Sequence, residues 1–166
     1  MGSYKEIEGD LIQFTKEGRF DVILHGCNCF CTMGAGLAPK MAKAFGCDKY
    51  PKEFPQFKGD KGKLGTIEGM VYNLKNLQPI SQVYIFNAYT QYHWGPHASL
   101  EAIRSCLKIL NDSLKSINKF NFLNPYIYRI GLPQIGCGLG GLNWEDVKQI
   151  IQEELKDYDV EIVIFK

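Results

Sequence analysis

The chain has no apolar run approaching the roughly 18 residues that a membrane-spanning helix needs. It has almost no net charge. Nineteen lysines and arginines stand against 18 aspartates and glutamates, for a formal charge of +1. That balance excludes a broad electrostatic footprint for nucleic acid, so no nucleic-acid groove is expected, although a neutral total can hide a local basic cluster. Met1-Gly2-Ser3-Tyr4-Lys5 carries no apolar signal region, which leads to the expectation of a cytoplasmic protein. There is no internal repeat, no low-complexity tract and no linker, and 166 residues suit one domain over 1–166. A P-loop is absent, because no lysine followed by serine or threonine closes a glycine loop. No cysteine is followed six positions later by arginine, so a Cys-x5-Arg phosphatase loop is absent as well. The six cysteines are not spread as a disulfide framework would be; three sit in Cys27-Asn28-Cys29-Phe30-Cys31. Their one-residue gaps are tighter than zinc-ligand spacing, and no knuckle elsewhere completes a set. Reduced thiols packing a tight turn, with no metal and no cofactor, are the expectation.

What is present is an alternation of strands and helices. Tyr4 to Glu8 and the buried run Asp21 to His25 read as strands. Leu37, Met41, Ala44 and Phe45 share a helix face, with Pro39 tolerated in the first turn. Tyr50 to Lys63 reads as short helical pieces and loop, then Thr66 to Leu74 and Gln82 to Thr90 as strands. Leu100, Ile103, Leu107, Leu110, Leu114 and Ile117 mark the longest amphipathic helix. Lys119 to Pro125 reads as a surface excursion and Tyr126 to Leu132 as a buried strand. Asn143 caps a helix carrying Val147, Ile150, Ile151 and Leu155, and Val160 to Phe165 closes the sheet. This pattern predicts an α/β fold: a three-layer α/β/α domain around a mixed, mostly parallel six-stranded sheet. Such sheets bind ligands beyond the carboxyl ends of their strands, which directs attention to the loops after residues 25, 90 and 132.

Two of those loops are rich in glycine and lead into helices. The first runs from His25-Gly26-Cys27-Asn28 through Met33-Gly34-Ala35-Gly36. The second is Pro133-Gln134-Ile135-Gly136-Cys137-Gly138-Leu139-Gly140-Gly141. Glycine lets backbone N–H groups converge and lets a ligand approach closely, and a helix N-terminus behind the loop favours an anion. The pair suggests a clamp around a diphosphate; two tight strand-to-helix turns are the plainer alternative. Gly136-x-Gly138-x-x-Gly141 matches a dinucleotide fingerprint, but too little chain follows to complete that unit. His25, expected at the mouth of the first loop, is either a catalytic group or a core histidine bonded to its surroundings. His93 and His97, around Tyr92-His93-Trp94-Gly95, read as rim or surface residues. Asp10 either accepts from an exocyclic amine or caps a helix.

Taken in order along the chain, Gly9-Asp10-Leu11, His25-Gly26-Cys27-Asn28, Met33-Gly34-Ala35-Gly36-Leu37-Ala38, Asn87-Ala88-Tyr89-Thr90-Gln91 and Pro133 to Leu139 resemble a macrodomain, the ADP-ribose-binding fold. The resemblance implies ADP-ribose or a derivative as ligand. It implies Asp10 at the adenine amine, flanked by Gly9 and Leu11. The first loop would lie on the diphosphate and distal ribose with Asn28 near that ribose, and Gly136 to Gly141 would cover the phosphates. The Met33 to Gly36 and Gly136 to Trp144 patterns are similar to the branch of terminal ADP-ribose protein glycohydrolases and DNA-ADP-ribose hydrolases. That branch uses a lysine and, in some members, an aspartate where this sequence has Gln91 and Gly140. An amide is no substitute for a nucleophilic amine. The His25-Gly-Cys-Asn-Cys run is instead similar to ADP-ribose 1''-phosphate phosphatases, which implies removal of a terminal phosphate with His25 as the catalytic residue. A non-catalytic ADP-ribose-binding module, and a hydrolase of ADP-ribosyl or O-acetyl-ADP-ribose esters, are the alternatives. Oligomeric state is not legible.

Overall fold

The computed structural model describes residues 2–49, 53–54, 56, 58–77, 81–118, 123 and 126–165. The element order is β1 (Ser3–Glu8), α1 (Leu11–Lys16), β2 (Val22–Asn28), α2 (Ala38–Phe45), β3 (Ile67–Leu74), β4 (Ser81–Gln91), α3 (Leu100–Asn118), β5 (Arg129–Leu132), α4 (Trp144–Glu154) and β6 (Asp159–Ile164). The strands form one six-stranded sheet in the order β1-β6-β5-β2-β4-β3. Every neighbouring pair is parallel except β3 and β4. The expected mixed, mostly parallel sheet between helical layers is what is found.

The side-chain alternation of β2 shows how the layers are made. Val22 and Leu24 face one way, into a core with Ile103, Leu107 and Leu110 of α3 and Val147 and Ile151 of α4. Ile23 faces the other, with Leu11 of α1 and Met41 and Phe45 of α2. Fully burying each of these aliphatic side chains contributes on the order of 1.5–3 kcal/mol, which makes both interfaces of the sheet stable.

Beyond one-residue shifts at strand ends, three elements differ from the sequence reading. The six-residue α1 is too short to show periodicity, and its mark is the cap: Asp10 Oδ1 accepts from the N–H groups of Ile12 (2.9 Å) and Gln13 (3.2 Å). β5 starts at Arg129 rather than Tyr126, since Tyr126 and Ile127 are exposed and only later residues enter the sheet. β2 runs to Asn28, three residues past His25, because its pairing with β4 continues to Asn28–Gln91. The surface excursion expected for 119–125 lies, Leu123 apart, outside the described residues, as does part of the 50–63 segment.

β2 and β5 pair only at Val22–Ile130 and Ile23–Gly131. Beyond that point they part. β2 leads to α2 on one face of the sheet, while β5 leads to α4 on the other. Adjacent parallel strands whose connections leave to opposite faces open a crevice at their carboxyl ends.

Candidate functional site

A cleft with a free volume of about 240 Å³ occupies this crevice. Gly26, Cys27 and Asn28 at the end of β2 line it, with Met33, Ala35, Gly36, Leu37 and Ala38 from the first loop. The second loop contributes Pro133, Gln134, Ile135, Gly136, Gly138, Leu139 and Gly140, and β4 contributes Gln91. Five lining residues were missed in the sequence: Cys31, Thr32, Thr90, Trp94 and Gly95. The aromatic stretch directly after β4 was the signal for Trp94. Gly9, Asp10, Leu11, Gly34 and Cys137, all expected at the ligand, lie outside this lining. Leu11 is buried in the α1–α2 core, and Asp10 caps α1. Among the described residues the lining holds no aspartate, glutamate, lysine or arginine.

Any attraction of the cleft for an anion therefore has to come from backbone groups. Leu37, the residue before α2, gives the helix no side-chain cap, and Pro39 sits in its first turn. Its leading N–H groups are left for a ligand or water, and the helix dipole adds to their attraction for an anion. Gly36 just before it has φ +67°, open to glycine without cost.

Side chains shape the first loop. Asn28 Oδ1 accepts from the N–H of Phe30 (3.0 Å), and its Nδ2 donates to Thr32 Oγ1 (2.8 Å). Asn28 thus spends its amide on folding the loop. The resulting turn places Cys31 at φ +57°, a left-handed conformation that a β-carbon makes costly. Gln91 is likewise engaged, its Nε2 donating to the carbonyls of His93 (2.6 Å) and Gly95 (3.0 Å).

Backbone shapes the second loop. Cys137 N–H donates to Gln134 O, Gly141 N–H to Gly138 O and Leu142 N–H to Gly136 O. A Cβ at residue 140 would stand 2.5 Å from the Gly136 carbonyl oxygen and 2.8 Å from Ala98 Cβ, so an aspartate cannot enter there without backbone movement. A Cβ at residue 138 would meet nothing within 4 Å.

His25 is not on the rim. It lies in the floor of the cleft, 1% exposed. Asn87 Nδ2 donates to the Cys47 carbonyl (2.9 Å) and to Glu68 Oε1 (3.3 Å), which leaves Asn87 Oδ1 facing His25 Nε2 at 2.7 Å. Nε2 then carries the proton toward Asn87, and the ring is flanked by Cys27 Sγ (3.9 Å from Nδ1, 3.8 Å from Nε2) and Cys47 Sγ (3.6 Å from Nε2). Burial lowers the imidazole pKa to about 4, outweighing the opposite pull of the Asn87 hydrogen bond. A ring that burial keeps neutral is poorly suited to act as a general acid in the resting protein. Burial also pushes the Cys27 thiol well up and that of Cys47 to about 11, so the sulfurs around the ring are thiols. All six cysteines are free. No group of three or more potential metal ligands converges among the described residues.

Fold and cleft together define a class, and comparison with known proteins agrees. The Macro domain family model matches residues 24–151, and the chain belongs to that family. It is similar to an uncharacterized 17.5 kDa protein of Enterobacteria phage T4, 34% identical over 163 residues, 96% of this chain and 94% of that one. It is 29% identical over 162 residues to the DNA ADP-ribosyl glycohydrolase of Thermus aquaticus, spanning 96% of this chain but 40% of that protein. The solved macrodomain of Thermus aquaticus DarG superposes with a TM-score of 0.67 at 28% identity, covering 100% of this chain and 99% of that one. An ADP-ribose 1''-phosphate phosphatase of Saccharomyces cerevisiae is 22% identical over 173 residues, 92% of this chain and 93% of the yeast protein.

Proposed function

We propose that the protein binds ADP-ribose in the cleft and hydrolyses the terminal phosphate of ADP-ribose 1''-phosphate. The observation that carries this reading is the cleft itself: two loops opening to opposite faces at a switch point, edged by glycine and an uncapped helix start, with no carboxylate to repel a diphosphate. Asp10, with Gly9 and Leu11 beside it, would extend the site toward the adenine. In the reaction a water oxygen bonds to the phosphorus, the P–O bond to the 1''-oxygen breaks, and ADP-ribose leaves with a hydroxyl at C1''. Backbone amides stabilise the transferring charge. Of the roles open to His25, burial of the neutral ring argues against general acid and leaves nucleophile or orienter of water.

A second reading, binding without turnover, is favoured by a described lining without carboxylate or amine side chains, in which His25 and the thiols of Cys27 and Cys31 are the ionisable groups. A third, hydrolysis of ADP-ribosyl or O-acetyl-ADP-ribose esters, is favoured by the glycohydrolase names of its relatives. A turnover panel with ADP-ribose 1''-phosphate, O-acetyl-ADP-ribose and ADP-ribosylated protein and DNA tests all three. Phosphate release from the first alone supports the phosphatase, ester cleavage alone the third reading, and ADP-ribose binding without any turnover the module.

A further inference from the structure

His25 rests on a polar layer that the cleft does not expose. Asn87 is its neighbour across β2 and β4, 2% exposed and absent from the described lining of the cleft. Beyond Asn87 lies a second cavity with a free volume of about 200 Å³, lined by Cys47, Glu68, Met70, Ile85 and Asn87 itself. Asn87 thus stands between His25 in the cleft floor and this cavity.

The cavity side sets which way the Asn87 amide points. Its Nδ2 donates to the Cys47 carbonyl (2.9 Å) and to Glu68 Oε1 (3.3 Å), and the Tyr89 hydroxyl donates to the same carboxylate oxygen (3.1 Å). Turning the amide over would set Oδ1 against a carbonyl and a carboxylate, acceptor against acceptor, and would deprive both of their donor from Asn87. Buried polar groups left unpaired in this way are costly. Oδ1 therefore stays on His25 Nε2 at 2.7 Å, and because an amide oxygen only accepts, Nε2 donates. The Cys27 and Cys47 sulfurs beside the ring are weak acceptors and give a proton on Nδ1 no comparable partner.

The lone pair of the neutral ring is then on Nδ1, and both roles left to His25 use a lone pair. As nucleophile, Nδ1 bonds to phosphorus while the P–O bond to the 1''-oxygen breaks and that oxygen takes a proton from water. A second water later cleaves the N–P bond, which releases phosphate and restores the ring. As orienter, Nδ1 accepts a hydrogen from the water that attacks phosphorus. We propose that Asn87, fixed from behind by Glu68 and the Cys47 carbonyl, is a positioning residue for the reaction, locking His25 in the tautomer whose lone pair is on Nδ1. What the lone pair serves rests on the phosphatase reading, whereas the lock rests on the hydrogen bonds alone.

The test uses the full chain, isotope-labelled on nitrogen, unaltered and as Asn87→Leu and Asn87→Ser. Leucine is close to asparagine in size and has no acceptor. Serine leaves room for water from the cavity, which donates or accepts and fixes neither tautomer; it carries the test if Asn87→Leu fails to fold. Long-range proton–nitrogen NMR at pH 7 reads which His25 nitrogen holds the proton. Phosphate release from ADP-ribose 1''-phosphate gives kcat and KM, and calorimetry gives ADP-ribose affinity. The unaltered protein should hold the proton on Nε2. In the variants the proton should be shared with Nδ1 or move there, and kcat should fall about tenfold or more. KM and ADP-ribose affinity should stay within about twofold, because Asn87 does not line the cleft. A proton on Nδ1 in the unaltered protein, folded variants that keep it on Nε2, or an unchanged kcat overturns the proposal. Affinity that weakens together with kcat also overturns it, leaving Asn87 a structural residue. No turnover by the unaltered protein defeats the proposed function, and the tautomers still decide whether Asn87 sets the ring.

Discussion

The two loops that enclose the cleft reach similar ends by different means. The first, after β2, is tied by side chains: Asn28 and Thr32 hydrogen-bond within it, and Cys31 is held at positive φ. The second, after β5, is tied by backbone, with glycines where a side chain would collide. The lesson is that an asparagine in a glycine-rich loop can be the loop's own fastener, whereas a glycine at a close approach leaves nothing for chemistry except its N–H. The first loop should therefore respond to loss of polar atoms and the second to gain of any atom at Gly136, Gly140 or Gly141.

The largest expected effect lies beneath the first loop. His25 has a folded-state pKa of about 4 against an ordinary 6.5, so the unfolded chain takes up a proton that the folded one refuses. Stability contributed by the neutral ring is complete above pH 6.5 and is lost as pH falls toward 4, by an amount on the order of 3 kcal/mol. Urea unfolding at pH 7 and pH 4.5 should show the loss, and His25→Gln should flatten the pH dependence. An unchanged slope in that variant would place the titration elsewhere.

Gly140→Asp sharpens the contrast from the other side. The added Cβ overlaps the Gly136 carbonyl and Ala98, so the variant should lose about 1–3 kcal/mol and should not gain glycohydrolase activity. Asn28→Ala should cost roughly 2 kcal/mol by releasing its bonds to Phe30 and Thr32, and Asn28→Asp should recover part of it through the retained Oδ acceptor. Comparable recovery by Asn28→Leu would mean that the amide does not fasten the loop.

The smallest effect separates two roles of one residue. Asp10→Ala should cost about 1 kcal/mol of stability as a lost cap. If its carboxylate also meets adenine, the affinity for ADP-ribose should fall more than that for ribose 5-phosphate. Equal changes for both ligands would leave Asp10 as a cap only.

Much of this was legible because hydrophobic period follows local geometry. Leu100 to Ile117 is helical in sequence and in space, and the capping Asn143 does accept from the N–H of Glu145 (2.9 Å). The glycine loops also stood out. What was not legible depended on neighbours distant in sequence. His25-Gly26-Cys27-Asn28 has turn-like composition, yet pairing with β4 keeps it extended and sinks His25 into the floor. Tyr126 and Ile127 look like strand residues, but with Tyr126 hydrogen-bonded from its hydroxyl to Asp21 (3.0 Å) they stand outside the sheet. The short α1 had only its cap to announce it. Trp94 lines the cleft through a turn whose shape is set by Gln91, itself expected at the ligand but not as the fastener of that turn.

The central claim is that the amide-lined cleft between the two loops holds a diphosphate. Calorimetry with ADP-ribose on the unaltered protein and on Gly138→Glu tests it most directly. Residue 138 lines the cleft and a Cβ added there meets no protein atom within 4 Å, so the variant should fold with an unchanged thermal midpoint. The account predicts one ADP-ribose per chain for the unaltered protein and a loss of about a hundredfold or more in the variant, where a carboxylate replaces open space beside the phosphates. No binding by the unaltered protein, or equal binding by a folded Gly138→Glu, would contradict it.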